Sequence, residues 1–154
     1  MRKRNFCTEV NRVVYVDKEK QTSHCKLDCC INLFPDEDGM VPYALIDKLR
    51  KKYPCEIKTK DGKVIKQLGL RHDYSDIFYV HVETTATCHS GDTFDEKKGK
   101  TIVYSKAQKK LYGLLERVYG DIAMFYEQNL VKARDANAMF HRYRDREHRF
   151  LDSI

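Results

Sequence analysis

The feature that most constrains this chain is a change of hydrophobic period close to residue 90. Up to Cys88 apolar and polar residues alternate, which is typical of half-buried β-strands. From Leu111 onwards the apolar residues recur in steps of four and three, which is typical of a long amphipathic helix. The sequence therefore predicts an α+β protein in which a β core is followed by a helical region.

Residues 1–92 predict an antiparallel β core with one short helix inserted at about 41–53, after a loop at 35–39. Asp61-Gly62 separates two short strand patterns and favours a tight hairpin turn. The predicted strands are 10–16, 23–34, 55–60, 63–68 and 77–88. On the second strand the side chains expected to face the core are Cys25, Leu27, Cys29, Ile31 and Leu33.

Residues 93–152 predict a helical region. The apolar stripe keeps its phase across Gly120-Asp121, yet a glycine followed by an aspartate is also a common helix stop and N-cap. The sequence thus leaves two arrangements open, a helical hairpin and one long helix kinked at Gly120. Because the stripe is longer than a small β core can cover, we expect this region to pair with a second copy and form a homo-oligomer.

Length and charge narrow the class of protein. With 154 residues, of which 42% are hydrophobic, the chain suits a single domain with its own core. The net charge of +6 is spread evenly along the chain, which favours small anionic ligands over a dedicated nucleic-acid arm. Residues 1–5 lack the apolar stretch of a signal peptide, and no segment is apolar enough to span a membrane. We expect a cytoplasmic protein with reduced thiols and no membrane partner.

The strand-to-helix corner contains several helix-start signals. Thr93-x-x-Glu96 has the form of a capping box, and Asp92 and Asp95 also suit a helix N-terminus. Gly99 would cost about 1 kcal/mol of helix stability relative to alanine, which indicates close packing or a close ligand. A purely structural connection and a ligand site both account for this pattern.

The same corner resembles the motif Cys-His-Pro-x-Asp-x-Phe-Asp-x-x-x-Gly-x-x-x-Ala of short bacteriophage proteins. Six residues match it: Cys88, His89, Asp92, Phe94, Asp95 and Gly99. Ser90 replaces the proline, Val103 replaces the alanine, and Lys106 stands where an arginine is usual, so the resemblance covers about twenty residues. One branch of this group is similar to the Thoeris anti-defence sponges, which are oligomers with a β core and two C-terminal helices.

That resemblance implies a non-catalytic phage counter-defence protein that sequesters a small cyclic nucleotide of the cyclic ADP-ribose type in the infected bacterial host. It further implies a site between protomers, with aromatic rings on the adenine and basic side chains on the pyrophosphate. Residue types on the strand face, at the corner and on the following helix then indicate the ligand-binding candidates, which are Tyr79, His81, His89, Asp92, Asp95, Lys106 and Lys109.

The basic stretch 141–149 offers another interpretation. Arg142, Arg146 and Arg149 share one helix face and could form a second anion site or contact nucleic acid, while Asp145 and Glu147 favour an ion-paired helix end. The alternative functions are therefore a phage accessory module that binds nucleic acid or a host protein, and a structural virion component.

Catalysis and metal binding are poorly supported by the motifs. His81-Val-Glu83 has the His-x-Glu form of zinc nucleobase deaminases, but the downstream Pro-Cys-x-x-Cys of those enzymes is missing. Cys25 and Cys29 are separated by three residues and lie in phase with core positions, unlike the usual Cys-x2-Cys ligand pairs of zinc. We therefore expect buried thiols, no metal, no cofactor and no enzymatic activity.

Overall fold

The computed structural model describes residues 6–34, 41–72, 77–89 and 91–153. The loop predicted at 35–39 lies outside the described residues. In chain order the elements are β1 (Cys7–Asp17), β2 (Thr22–Asn32), α1 (Tyr43–Lys52), β3 (Glu56–Lys58), β4 (Val64–Lys66), β5 (Arg71–His72), β6 (Ile77–Thr87) and α2 (Glu96–Ser153). The α+β class is confirmed. Two compact units form, Met1–Val118 and Tyr119–Ile154, and their boundary falls within α2.

The main sheet has four strands in the order β1, β2, β6, β5, and all neighbouring pairs are antiparallel. The register places Leu27 opposite Val82 and Cys29 opposite Val80, so the apolar residues of β2 and β6 lie on one face of the sheet. The core face predicted for β2 is confirmed, because the following side chains are all buried: Cys25, Leu27, Cys29, Ile31 and Leu33.

The shorter elements follow the sequence pattern with revised boundaries. Helix α1 buries Leu45, Ile46 and Leu49, as the predicted helix at about 41–53 requires. The hairpin of β3 and β4 turns at Gly62, whose φ of +79° is a left-handed conformation that glycine adopts easily, so the Asp61-Gly62 turn is confirmed. Both of its strands are shorter than predicted. Strand β5 was not predicted, because two residues are too few to show an alternation.

Helix α2 is helical throughout residues 96–153, including Gly120, so the helical-hairpin alternative is wrong. Glycine in a helix interior costs only about 1 kcal/mol, and the apolar stripe keeps its phase beyond it. Within the first unit this helix packs on the core face of the sheet, where the Thr84 hydroxyl donates to the Val103 carbonyl oxygen at 2.7 Å. Its buried residues there are Val103, Ala107, Leu111, Leu114 and Val118.

A second connection ties α2 to strand β1. The Tyr104 hydroxyl donates to Glu9 Oε2 at 2.9 Å, and the Arg12 guanidinium lies 3.9 Å from the centre of the Tyr104 ring. Glu9 also accepts a hydrogen bond from Arg12. The three side chains hold the edge strand of the sheet against the first part of α2.

The second unit is a helical stretch in which most side chains are exposed, whereas Ile122 is buried. Its exposed large apolar residues are Met124, Tyr126, Leu130, Val131, Phe140, Tyr143, Phe150 and Leu151. Across the described ranges, the helices lack the combination of length and apolar character needed to cross a membrane.

Candidate functional site

The corner between β6 and α2 is built by a side-chain cap and a tight turn. The backbone amide of Lys98 donates to Asp95 Oδ1 at 3.0 Å, which makes Asp95 the N-cap of α2. The capping box predicted from Thr93 is therefore wrong. Threonine and aspartate both cap helices well. The first helical residue is Glu96, and the residue directly before it is Asp95.

The turn before the cap is held by the backbone and by a thiol. The Asp92 amide donates to the His89 carbonyl oxygen at 3.1 Å, and Gly91 adopts a φ of +98°. Cys88 Sγ lies 3.6 Å from the His89 carbonyl oxygen and 3.7 Å from that of Asp92. The thiol therefore interacts with the carbonyl groups of this turn.

A cavity of about 420 Å³ lies between this corner, the adjoining ends of β2 and β6, and the first turns of α2; we call it the corner pocket. Its volume falls within the range of small-molecule binding sites. The apolar part of the lining includes Phe94 and Ile102, and the polar part includes His89, Asp92, Lys98 and Lys106.

The polar side chains of the corner pocket are available to a ligand. In the part of the chain that the structure describes, the side chains of His89, Asp92, Lys98 and Lys106 form no hydrogen bond or ion pair. The two ammonium groups can bind anionic oxygens, and the Asp92 carboxylate can accept hydrogen bonds from hydroxyl or amino groups. The pocket thus offers both charges beside the aromatic ring of Phe94.

Ser23 is a pocket residue that sequence reasoning missed. It is buried on β2, and its hydroxyl oxygen has no hydrogen-bond partner among the described residues. A Cβ atom at Gly99 would lie 2.3 Å from this oxygen, so a side chain at residue 99 would force the Ser23 hydroxyl to move. The sequence signal was present, since Ser23 is a polar residue in phase with the core positions Cys25 and Leu27.

The predicted ligand-binding residues do not form one site. The corner pocket brings together His89, Asp92, Asp95 and Lys106. Lys109 lies instead in a separate surface depression of α2 with Tyr112 and Glu116. Tyr79 and His81 lie elsewhere as well, because on β6 they alternate with the buried residues Val80 and Val82 and so occupy the opposite face of the sheet.

Tyr79 and His81 line a cavity of about 540 Å³ together with Lys66 and Arg71. The Arg71 guanidinium lies 5.4 Å from the centre of the Tyr79 ring, within the range of a cation–π contact. This second cavity therefore combines an aromatic ring with cationic groups on the outer face of the sheet.

His81 is held between two carboxylates. Its Nε2 lies 2.9 Å from Glu83 Oε1, and its Nδ1 lies 2.6 Å from Asp28 Oδ1. The hydrogen bonds to Glu83 and Asp28 raise the pKa of His81, and the bond to His81 lowers the pKa of Glu83. Because both ring nitrogens are already bonded, the imidazole would have to break one of these contacts to bind a ligand.

The arginines of the helix end have contacts within their own helix. Arg146 binds the Glu147 carboxylate at 2.9 Å, and Arg149 Nε donates to the Asp145 carbonyl oxygen at 3.3 Å. Arg142, the third arginine predicted for an anion site, forms no side-chain hydrogen bond or ion pair within the described ranges. Of the three arginines, Arg146 thus has the contact of an ion-paired helix end, and Arg149 is bonded to the backbone of its own helix.

The two cysteines predicted to face the core do so, and Cys88 lies at the corner. Cys25 and Cys29 are buried on β2, and burial is the main cause that raises the pKa of Cys29 to about 12. A thiol that stays protonated is a poor nucleophile and a poor metal ligand. Over the described residues, no group of three or more His, Cys, Asp or Glu side chains is arranged to hold a metal ion.

Comparison with known proteins yields no relative: no family model matches the chain, and no curated protein or solved structure shows significant similarity to it.

Proposed function

We propose that the protein binds a small cyclic nucleotide in the corner pocket and sequesters it without converting it. One observation carries the proposal. All six residues that match the phage motif line this pocket, namely Cys88, His89, Asp92, Phe94, Asp95 and Gly99. The resemblance and the cavity thus indicate the same residues as a ligand site.

The chemistry of the pocket suits a nucleotide better than a simple anion. Lys98 and Lys106 supply positive charge for phosphate oxygens, while Asp92 would repel a phosphate and instead accept hydrogen bonds from ribose hydroxyls or a base amino group. Phe94 offers an apolar ring for stacking on a base. A ligand with phosphates, hydroxyls and an aromatic base uses all of these groups.

The contacts of Cys88 support binding without turnover. The Cys88 thiol interacts with two backbone carbonyl oxygens. An activated nucleophile needs a base within hydrogen-bond reach, and the His89 ring has no hydrogen bond to this thiol among the contacts of the described residues. We therefore assign the corner pocket to retention of the ligand.

The motif resemblance supports a role in phage counter-defence. A phage protein that captures a cyclic ADP-ribose-type signal in the cytoplasm of its host would silence a defence system that depends on that signal. As the resemblance implies, the acting form would be a homo-oligomer.

Calorimetry tests this function. The purified protein is unfolded, refolded to remove retained ligand, and titrated with cyclic ADP-ribose isomers and with cyclic di- and trinucleotides. Saturable binding of one member, followed by recovery of that ligand intact by chromatography, supports sequestration. Recovery of a converted product would show an enzyme, and no heat with any member would refute the proposal.

A further inference from the structure

Helix α2 carries an exposed, regularly spaced seam within the second unit. The seam comprises residues in steps of three and four, namely Tyr126, Asn129, Ala133, Ala136, Phe140, Tyr143, Glu147 and Phe150. All four of its aromatic side chains are exposed, and Phe140 is the most exposed of them at 62%. Steps of this kind place side chains along one side of a helix and are typical of helices that pair.

The sizes of the seam residues are complementary when the helix meets its own copy in the opposite direction. With residue 138 at the centre of an antiparallel pair, Phe140 lies opposite Ala136, and Tyr143 lies opposite Ala133. In this register every seam residue faces another seam residue, and each of these large rings meets a small side chain. A parallel pair would instead place Phe140 against Phe140 and Ala136 against Ala136. The two rings would be crowded, and the two alanines would leave a void between the helices.

The polar members of the seam favour the same direction. In the antiparallel register the Asn129 amide faces the Glu147 carboxylate, which can accept its hydrogen bond. In a parallel pair the Glu147 carboxylates of the two copies would face each other and repel.

We infer that residues 126–150 form an antiparallel helix pair with the same segment of a second copy. The C-terminal end of the helix then takes part in self-association through the seam residues Tyr143, Glu147 and Phe150. Because the seam lies outside the corner pocket, this inference does not depend on the proposed ligand.

Sedimentation equilibrium of the full chain tests the pairing. Phe140→Glu buries a charge opposite Ala136 and raises the dimer dissociation constant by at least about tenfold. The matched control is Val131→Glu, which introduces the same charge at an exposed apolar residue, 51% accessible, away from the seam. The control changes the dissociation constant by less than about twofold. Circular dichroism verifies that both variants remain helical.

A single substitution tests the direction. Asn129→Lys places an ammonium group opposite Glu147 in an antiparallel pair and lowers the dissociation constant several-fold at low salt. In a parallel pair it places two ammonium groups side by side and raises that constant. Weaker association of Asn129→Lys overturns the antiparallel assignment.

The remaining outcomes overturn the inference as well. These are a monomeric protein at concentrations on the order of 100 μM, or association that Phe140→Glu leaves unchanged. A monomer that binds an oligonucleotide through Arg142, with affinity falling steeply as salt rises, would assign this end to nucleic acid.

Discussion

Gly99 and Ser23 meet where the first turns of α2 cross strand β2, and a methyl group on the glycine would lie 2.3 Å from the serine hydroxyl oxygen. The next nearest atom, Ser23 Cβ, lies at 3.4 Å, which is ordinary contact. The hydroxyl has no hydrogen-bond partner among the described residues. Helix and sheet are therefore in close contact at the corner pocket, with no space for a further methyl group unless the serine hydroxyl moves.

Gly99→Ala is expected to destabilise the protein by about 1–3 kcal/mol, because the new methyl group overpacks the contact with Ser23 and outweighs the higher helix propensity of alanine. Urea denaturation measures the change. The double variant Ser23→Ala/Gly99→Ala removes the clashing oxygen and should be at least as stable as the unaltered protein. A Gly99→Ala protein of full stability, or a double variant as unstable as the single one, would contradict the contact.

Removal of the capping side chain should show which residue is the N-cap of α2. Asp95→Ala loses the hydrogen bond from the Lys98 amide and should cost about 1 kcal/mol of unfolding free energy. Thr93→Ala should cost much less, because among the described residues the Thr93 side chain forms no hydrogen bond with the helix. The two variants are compared by urea denaturation. Equal losses, or a larger loss for Thr93→Ala, would restore the capping box.

The contacts of His81 predict a dependence of stability on pH. The pKa of His81 is raised above the ordinary 6.5, so its contribution is complete below about pH 6.5 and is lost as the pH rises through the raised value. The pKa of Glu83 is lowered, so its contribution is present above about pH 4.5 and is lost as the pH falls through the lowered value. The hydrogen bond between His81 and Glu83 should therefore stabilise the folded protein most between about pH 4.5 and about pH 6.5.

A nuclear magnetic resonance titration verifies the cause directly. The His81 ring should titrate above 6.5, and Glu83→Gln should bring its pKa closer to 6.5. Both side chains are half exposed, so solvent screening keeps the effect on stability small. The difference in stability between the unaltered protein and His81→Gln should shrink as the pH rises through the raised pKa of His81. A His81 pKa at or below 6.5 would be inconsistent with the two hydrogen bonds.

Much of the fold could be predicted because the strands obey a simple alternation. On β2 the residues from Cys25 to Leu33 showed their buried face directly, and the glycine of Asp61-Gly62 marked the hairpin. The hairpin alternative at Gly120 was wrong because the apolar stripe continues beyond the glycine, and the helix continues with it. Strand β5 left no pattern, since it is defined by pairing with β6 rather than by its own residues.

The site was predicted less well than the fold. A local motif predicted Asp92 and Lys106 to lie close together, and both line the corner pocket. Tyr79 was grouped with them by chemistry alone, although the alternation of β6 puts it on the other face of the sheet. Ser23 is distant in sequence from the corner, and only the pairing of β2 with β6 brings it there.

The most direct test of the central claim compares two lysines on the same helix. Lys106 lines the corner pocket, whereas Lys109 lies outside it in a separate depression. Calorimetry with the cyclic nucleotide that binds the unaltered protein should show affinity reduced by about tenfold or more for Lys106→Ala and nearly unchanged for Lys109→Ala. Equal affinity of Lys106→Ala and the unaltered protein would contradict ligand binding in the corner pocket.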